Sequence, residues 1–115
     1  MRTCWLALFT ALLCAVAACA QPPDTLWTHP YGGTGLDEAF GVCTVSDGGF
    51  VAVGRSRSFS SEYNVFAVRV DAMGDTLWQR NYGGSGFDHA AGVCGVAGNG
   101  FLIAGSTMSF GAGSW

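Results

Sequence analysis

The sequence has no lysine. Its cations are five arginines against eight Asp and Glu, and only 11% of its 115 residues are charged, with a formal net charge of −3. A chain without a basic patch has nothing with which to neutralise phosphates, which excludes nucleic acid as a partner and excludes electrostatic attraction to anionic membranes. Cysteine is equally scarce where it would matter: of five in the chain, Cys4, Cys14 and Cys19 lie in the first twenty residues, leaving Cys43 and Cys94. A dense disulfide scaffold is therefore excluded. The length allows one small domain and no separate cofactor and substrate domains. Low charge beside 50% hydrophobic residues argues against disorder.

Only one long hydrophobic run is present, and it lies at the N-terminus. Arg2 supplies a positive charge, Cys4 to Ala18 is apolar except for Thr10, and Pro22-Pro23 ends any helix. The run is shorter than the roughly 20 residues a membrane-spanning helix needs, so residues 1–20 read as a helical export signal. Two cleavage chemistries fit its end. Ala18-Cys19-Ala20 has the small-x-small form of an ordinary signal peptidase site, releasing a chain that begins at Gln21. Val16-Ala17-Ala18-Cys19 resembles a bacterial lipobox, in which Cys19 would be acylated and anchor the protein to a membrane. Removal of Arg2 with the signal leaves a body with a charge of about −4.

What the body does have is a repeat. Asp24-Thr25-Leu26-Trp27 aligns with Asp75-Thr76-Leu77-Trp78, a period of 51 residues, and the match runs on without gaps. Tyr31-Gly32-Gly33 falls on Tyr82-Gly83-Gly84, Asp37 on Asp88, Gly41-Val42-Cys43 on Gly92-Val93-Cys94, and Gly49-Phe50 on Gly100-Phe101. Nearly half of the aligned positions are identical, at a spacing close to that of solenoids, propellers and arrays. Residues 24–74 form repeat 1, and residues 75–115 form a shorter repeat 2 that stops where Trp115 aligns with Asn64. From this we expect a fragment of a larger repeat protein.

Each repeat reads as strands joined by turns. Asp47-Gly48-Gly49 and Asn99-Gly100 are hairpin signals. They separate Ala39–Val45 from Phe50–Arg55, and Ala90–Val96 from Phe101–Ser106. Asp71 to Asp75 joins Asn64–Val70 to Thr76–Tyr82. Val65-Phe66-Ala67-Val68 and Phe50-Val51-Ala52-Val53 are apolar at consecutive positions, which predicts sheets buried on both faces rather than a sandwich with one wet face. The glycines Gly41, Gly54, Gly92 and Gly105 suit close approach of sheets, or bulges.

The pattern Trp-x-x-x-Tyr-Gly-Gly-x-Gly-x-Asp at Trp27 to Asp37, then Asp-Gly-Gly-Phe at Asp47 to Phe50, then Gly-x-Ser-x-Ser-Phe at Gly54 to Phe59, resembles the propeller-like repeats of exported bacterial proteins. Those chains often carry a C-terminal secretion-sorting domain, which these residues do not include. The resemblance implies an all-β fold of β-propeller-like blades, one complete and one partial. Asp71 to Trp78 is also similar to the tryptophan-docking motif of quinoprotein-type propellers, with Arg69 in place of a small residue. That likeness implies that Trp27 and Trp78 pack between blades. No quinone or other cofactor is expected.

Several residues are candidates for chemistry. Gly32 to Asp37 and Gly83 to Asp88 match the Gly-Gly-x-Gly-x-Asp core of calcium-binding nonapeptide repeats, which makes Asp37 and Asp88 weak calcium candidates. Such sites are completed by tandem copies, whereas these lie far apart, so a carboxylate accepting backbone N–H bonds is the preferred role. Cys43 and Cys94, on equivalent strands, would stand about 10 Å apart in stacked sheets. That is too far for a disulfide, and both are expected to be buried apolar residues. His29 and His89 hold non-equivalent repeat positions without metal-ligand spacing and are expected on solvent-facing loops. No paired acid and base stands out. The expectation is an exported, non-catalytic repeat protein with a structural or binding role at the cell surface, recognising an unknown protein or glycan. The alternatives are part of a larger propeller enzyme whose active site lies outside this chain, or a lipid-anchored surface protein. Because uncovered blade faces and a free strand edge invite pairing, the isolated chain is expected to self-associate.

Overall fold

The computed structural model describes residues 24–111, so the export signal expected at residues 1–20, Cys19 and Trp115 lie outside the described residues. Six strands follow in order: β1 (Asp37–Thr44), β2 (Phe50–Ser56), β3 (Asn64–Val70), β4 (Thr76–Tyr82), β5 (Asp88–Val96) and β6 (Gly100–Thr107). The first four form an antiparallel sheet in sequential order, and β5 and β6 form a separate hairpin. The fourth strand of the sheet therefore lies in the second copy of the sequence repeat. No helix of the described residues is long and apolar enough to cross a membrane.

The consecutive apolar residues of β2 and β3 bury both faces of the sheet. On one face Val51, Val53 and Ala67 pack with Ala90, Val93, Phe101 and Ile103 of the β5–β6 hairpin. On the other face Phe66, Val68 and Val70 pack with Phe50, Ala52 and Tyr31. The sheet and the hairpin are thus stacked face to face.

The glycines divide between the two expected uses. A Cβ on Gly41 would lie 3.1 Å from the Gly92 Cα across the stack, so these two serve close approach of the layers. Gly54 and Gly105 stand opposite Ala39 and Ala90, where the register shifts at a bulge in β1 and again in β5.

The turns are tied by side chains. Gly48 takes a positive φ of 87°, and the Asp47 carboxylate accepts the Gly49 N–H at 2.9 Å. The buried Arg69 spans from β3 to this turn, donating to Asp47 at 2.5 Å and to the Val70 carbonyl. In the β3–β4 turn Gly74 has a φ of 87°, and Asp71 accepts the N–H groups of Met73 and Asp75. The segment ahead of β1 lies over that turn: Trp27 donates to the Ala72 carbonyl at 3.1 Å and the Tyr31 hydroxyl to the Gly74 carbonyl at 2.6 Å.

Three expectations are corrected. The β5–β6 turn places its positive φ values on Gly98 (76°) and Asn99 (60°), one residue earlier than Asn99-Gly100, because β6 already begins at Gly100. His89 is in strand β5 and half-buried, not on a loop, because β5 begins at Asp88, two residues earlier than the apolar pattern suggests. Cys94 is exposed rather than buried: its twin Cys43 is covered by the hairpin, and among the described residues no second layer covers the hairpin itself. Both thiols are free.

Candidate functional site

Two polar constellations stand at the loop ends of the strands, and the first of them recurs in both repeats. The first is built around Asp37 and Asp88. Asp37 accepts hydrogen bonds from the Ser56 hydroxyl, from Ser58 Oγ at 2.6 Å and from the Gly33 N–H at 3.0 Å, and Ser58 Oγ in turn accepts the Gly35 N–H at 2.9 Å. Asp88 repeats this with the Thr107 hydroxyl, Ser109 Oγ at 2.6 Å and the Gly84 N–H at 3.1 Å, and the Gly86 N–H bonds Ser109 Oγ. Each carboxylate clamps a glycine-rich loop to the end of the partner strand. The glycines follow from this clamp: Gly32 and Gly83 take φ of 134° and 153°, and a Cβ on either would lie 2.3 Å from the carboxylate oxygen.

Burial works against the charged form of both carboxyls, but the hydrogen bonds from Ser56, Ser58 and Gly33, and from Ser109, Thr107 and Gly84, outweigh it and hold both below the usual carboxylate range. A carboxyl whose value is lower in the folded than in the unfolded chain contributes stability that is complete above the unfolded value of about 3.9, and that contribution fades as the pH falls through the folded value. The melting temperature is therefore expected to hold from neutral pH to about 5 and to fall steeply below about 4. Thermal unfolding followed across pH 2–8 checks this, and the acid limb should flatten when Asp37 and Asp88 are both replaced by asparagine.

The second constellation lies between the sheet and the hairpin. The Arg55 guanidinium stands 4.4 Å from the ring centre of Tyr63, 5.3 Å from that of Phe87 and 5.5 Å from that of Phe40, and its Nε donates to Glu38 at 2.5 Å. Arg57 also faces Tyr63, at 5.4 Å. Tyr63 and Phe87 tilt against each other with ring centres 5.1 Å apart, and His89 sits edge-on to Phe87 and Phe40 at 6.1 and 6.3 Å. A cleft of about 320 Å³ opens here, lined by Phe40, Arg55, His89, Ala90 and Ala91. Such a site presents aromatic faces, a fixed guanidinium and an imidazole to anything entering between the layers.

Cross-strand register explains how these groups meet. Glu38 stands opposite Arg55, and at the equivalent positions of the second repeat His89 stands opposite Ser106. The ion pair of the first repeat is thus replaced by a His89–Ser106 hydrogen bond, with Oγ 3.1 Å from Nδ1. Among the described residues no carboxylate bonds the His89 ring. The exposed His29 tilts against Trp27 and stacks on Tyr31, beside Gly74 of the β3–β4 turn. Among the described residues no group of three His, Cys, Asp or Glu is arranged to hold a metal ion.

Sequence reasoning anticipated that Asp37 and Asp88 bind backbone N–H groups, but it missed their hydroxyl partners Ser56, Ser58, Thr107 and Ser109. It also missed the cleft. The available signal was the paired change between repeats, Glu38 to His89 together with Arg55 to Ser106. No protein-family model matches this chain, and neither curated proteins nor solved structures give a match.

Proposed function

We propose that this chain is part of an exported, non-catalytic protein of β-propeller-type repeats, one complete and one partial unit of it, with a structural or binding role at the cell surface. The 51-residue sequence repeat supports the propeller reading, as do the face-to-face layers and Trp78, whose ring centre lies 6.4 Å from that of Phe101 in the next layer. Export rests on the apolar leader of residues 1–20, and a lipid anchor would be attached at Cys19.

The observation that carries the binding role is the cleft between the layers. Phe40 is half-exposed there beside the Arg55 guanidinium and the His89 ring. A flat apolar face flanked by hydrogen-bond donors suits a sugar ring, and it also suits an aromatic side chain of a partner protein. Saturation-transfer NMR against a panel of soluble oligosaccharides tests the glycan form of this reading. Binding is expected to weaken about tenfold in Phe40→Ala, the loss of one stacking contact of about 1.4 kcal/mol. Binding that is indifferent to Phe40, or none across the panel, would remove the glycan reading.

A separate enzyme reading, with its site inside this chain rather than outside it, draws on the His89–Ser106 hydrogen bond. A fluorophosphonate probe that labels Ser106 would favour it over the binding role.

A further inference from the structure

The stacking inside the chain joins two different surfaces, and the repeat gives each of them a twin. One surface is the face of the sheet carrying Cys43, Val51 and Val53. The other is the face of the hairpin carrying Ala90, Phe101 and Ile103. The twins of Val51 and Val53 are Leu102 and Ala104. Val51 is fully buried, whereas Leu102 is 60% exposed and Ala104 is exposed. On the opposite surface Ala90 is fully buried, whereas its twin Ala39 is exposed, and the half-buried Val93 has as its twin Val42, which is 66% exposed. The glycines give the same result: a Cβ on Gly41 would meet the Gly92 backbone, and one on Gly92 would meet nothing within 4 Å. Among the described residues one such interface is complete, and each of the two outer faces presents one uncovered half.

We propose that these free halves pair between copies of the chain, head to tail. The hairpin of one copy, through Gly92, Cys94 and Leu102, seats on the Val42 and Ala52 face of the next and repeats the contact made within the chain. The receiving face holds an apolar groove of about 230 Å³ lined by residues that include Trp27, Tyr31, Val42, Phe50 and Val68. Trp27 already holds on Phe50, with ring centres 6.2 Å apart, the place that Trp78 holds on Phe101 at 6.4 Å. Trp27 thus already fills the place of an incoming outer strand's Trp, and the incoming hairpin supplies the two inner strands beside it. Because the two surfaces differ, the contact is heterologous and propagates into a ring or a filament instead of stopping at a two-fold dimer.

The test uses the full chain and two surface variants, Leu102→Arg and Val42→Arg, each of which blocks one half of the contact and leaves the other intact. Wild-type protein is expected to show a sedimentation coefficient that rises with concentration through species of two or more copies. Each variant alone is expected to sediment as a monomer with an unchanged far-UV circular dichroism spectrum. Mixed in equal amounts, the two variants are expected to form a dimer and nothing larger, since one intact half remains on each. The proposal is overturned by a wild-type chain that stays monomeric at hundreds of micromolar, by assembly that persists equally in both single variants, or by a mixture that yields no dimer. A symmetric dimer through the Leu102 face would also overturn it, and would show itself by surviving in Val42→Arg.

Discussion

Replacing Gly54 with alanine is expected to lower the melting temperature by about 10 °C or more, at a cost of about 3 kcal/mol. A Cβ on Gly54 would stand 1.8 Å from the Glu38 carbonyl oxygen and 2.8 Å from the Ala39 Cα. Backbone cannot yield as a flexible side chain can, so β1 has to move away from β2 at the bulge. Gly54 is buried and pairs with β3 as well, through Phe66, so β2 cannot move in compensation without breaking its other ladder. The loss should appear in thermal and guanidinium unfolding together. Gly92→Ala is the control, since its Cβ meets nothing within 4 Å, and its effect is expected to stay within about 0.5 kcal/mol. Gly41→Ala should fall between the two, because the Gly92 backbone lies 3.1 Å from the added carbon.

Removing the Asp88 carboxylate should cost a comparable amount, about 3 kcal/mol, since Asp88→Ala leaves two hydroxyls and a backbone N–H without their charged acceptor. Asp88 is 1% exposed, so water cannot take its place. Asp88→Asn is expected to be nearly as damaging although its shape is unchanged, because an amide N–H₂ would face at least one of the donors from Gly84, Thr107 and Ser109. Asp37→Ala should cost less, since Asp37 is only half-buried and its loop lies more open to solvent. Chemical denaturation of the four single variants, Asp37→Ala, Asp37→Asn, Asp88→Ala and Asp88→Asn, measures these differences. Equal and small losses at both sites would mean that the glycine loops hold their course without the clamps.

Much of the fold can be read directly from the residues. Asn64–Val70 and Thr76–Tyr82 are strands over the residues expected, because the turn between them has Asp71 to cap it and Gly74 to supply the positive φ, all within five positions. The β5–β6 turn was displaced by one residue because Gly98, Asn99 and Gly100 can all adopt turn geometry, and only the pairing of Val96 with Gly100 decides among them. The site was less legible for a related reason. Asp37 and Ser58 are 21 residues apart, and they meet only because β1 and β2 pair in one register. Arg55 meets Phe87 only after two layers have stacked. Contacts of this kind belong to register and packing, on which local composition is silent. The exposure of Cys94 has the same origin, since a residue's neighbours in the next layer leave no mark on its own strand.

The sheet takes β4 from the second copy of the repeat, so the stretch of gene that recurs is offset from the stretch of chain that folds together. This offset has an evolutionary consequence. If a whole 51-residue unit is gained or lost, wherever the crossover falls, each sheet that has a unit after it still receives an outer strand beginning Thr-Leu-Trp from that unit. Recombination between units can then alter their number without passing through a product that has a bare sheet edge at the joint. The Trp at that junction is the residue each newly acquired neighbour must bring with it.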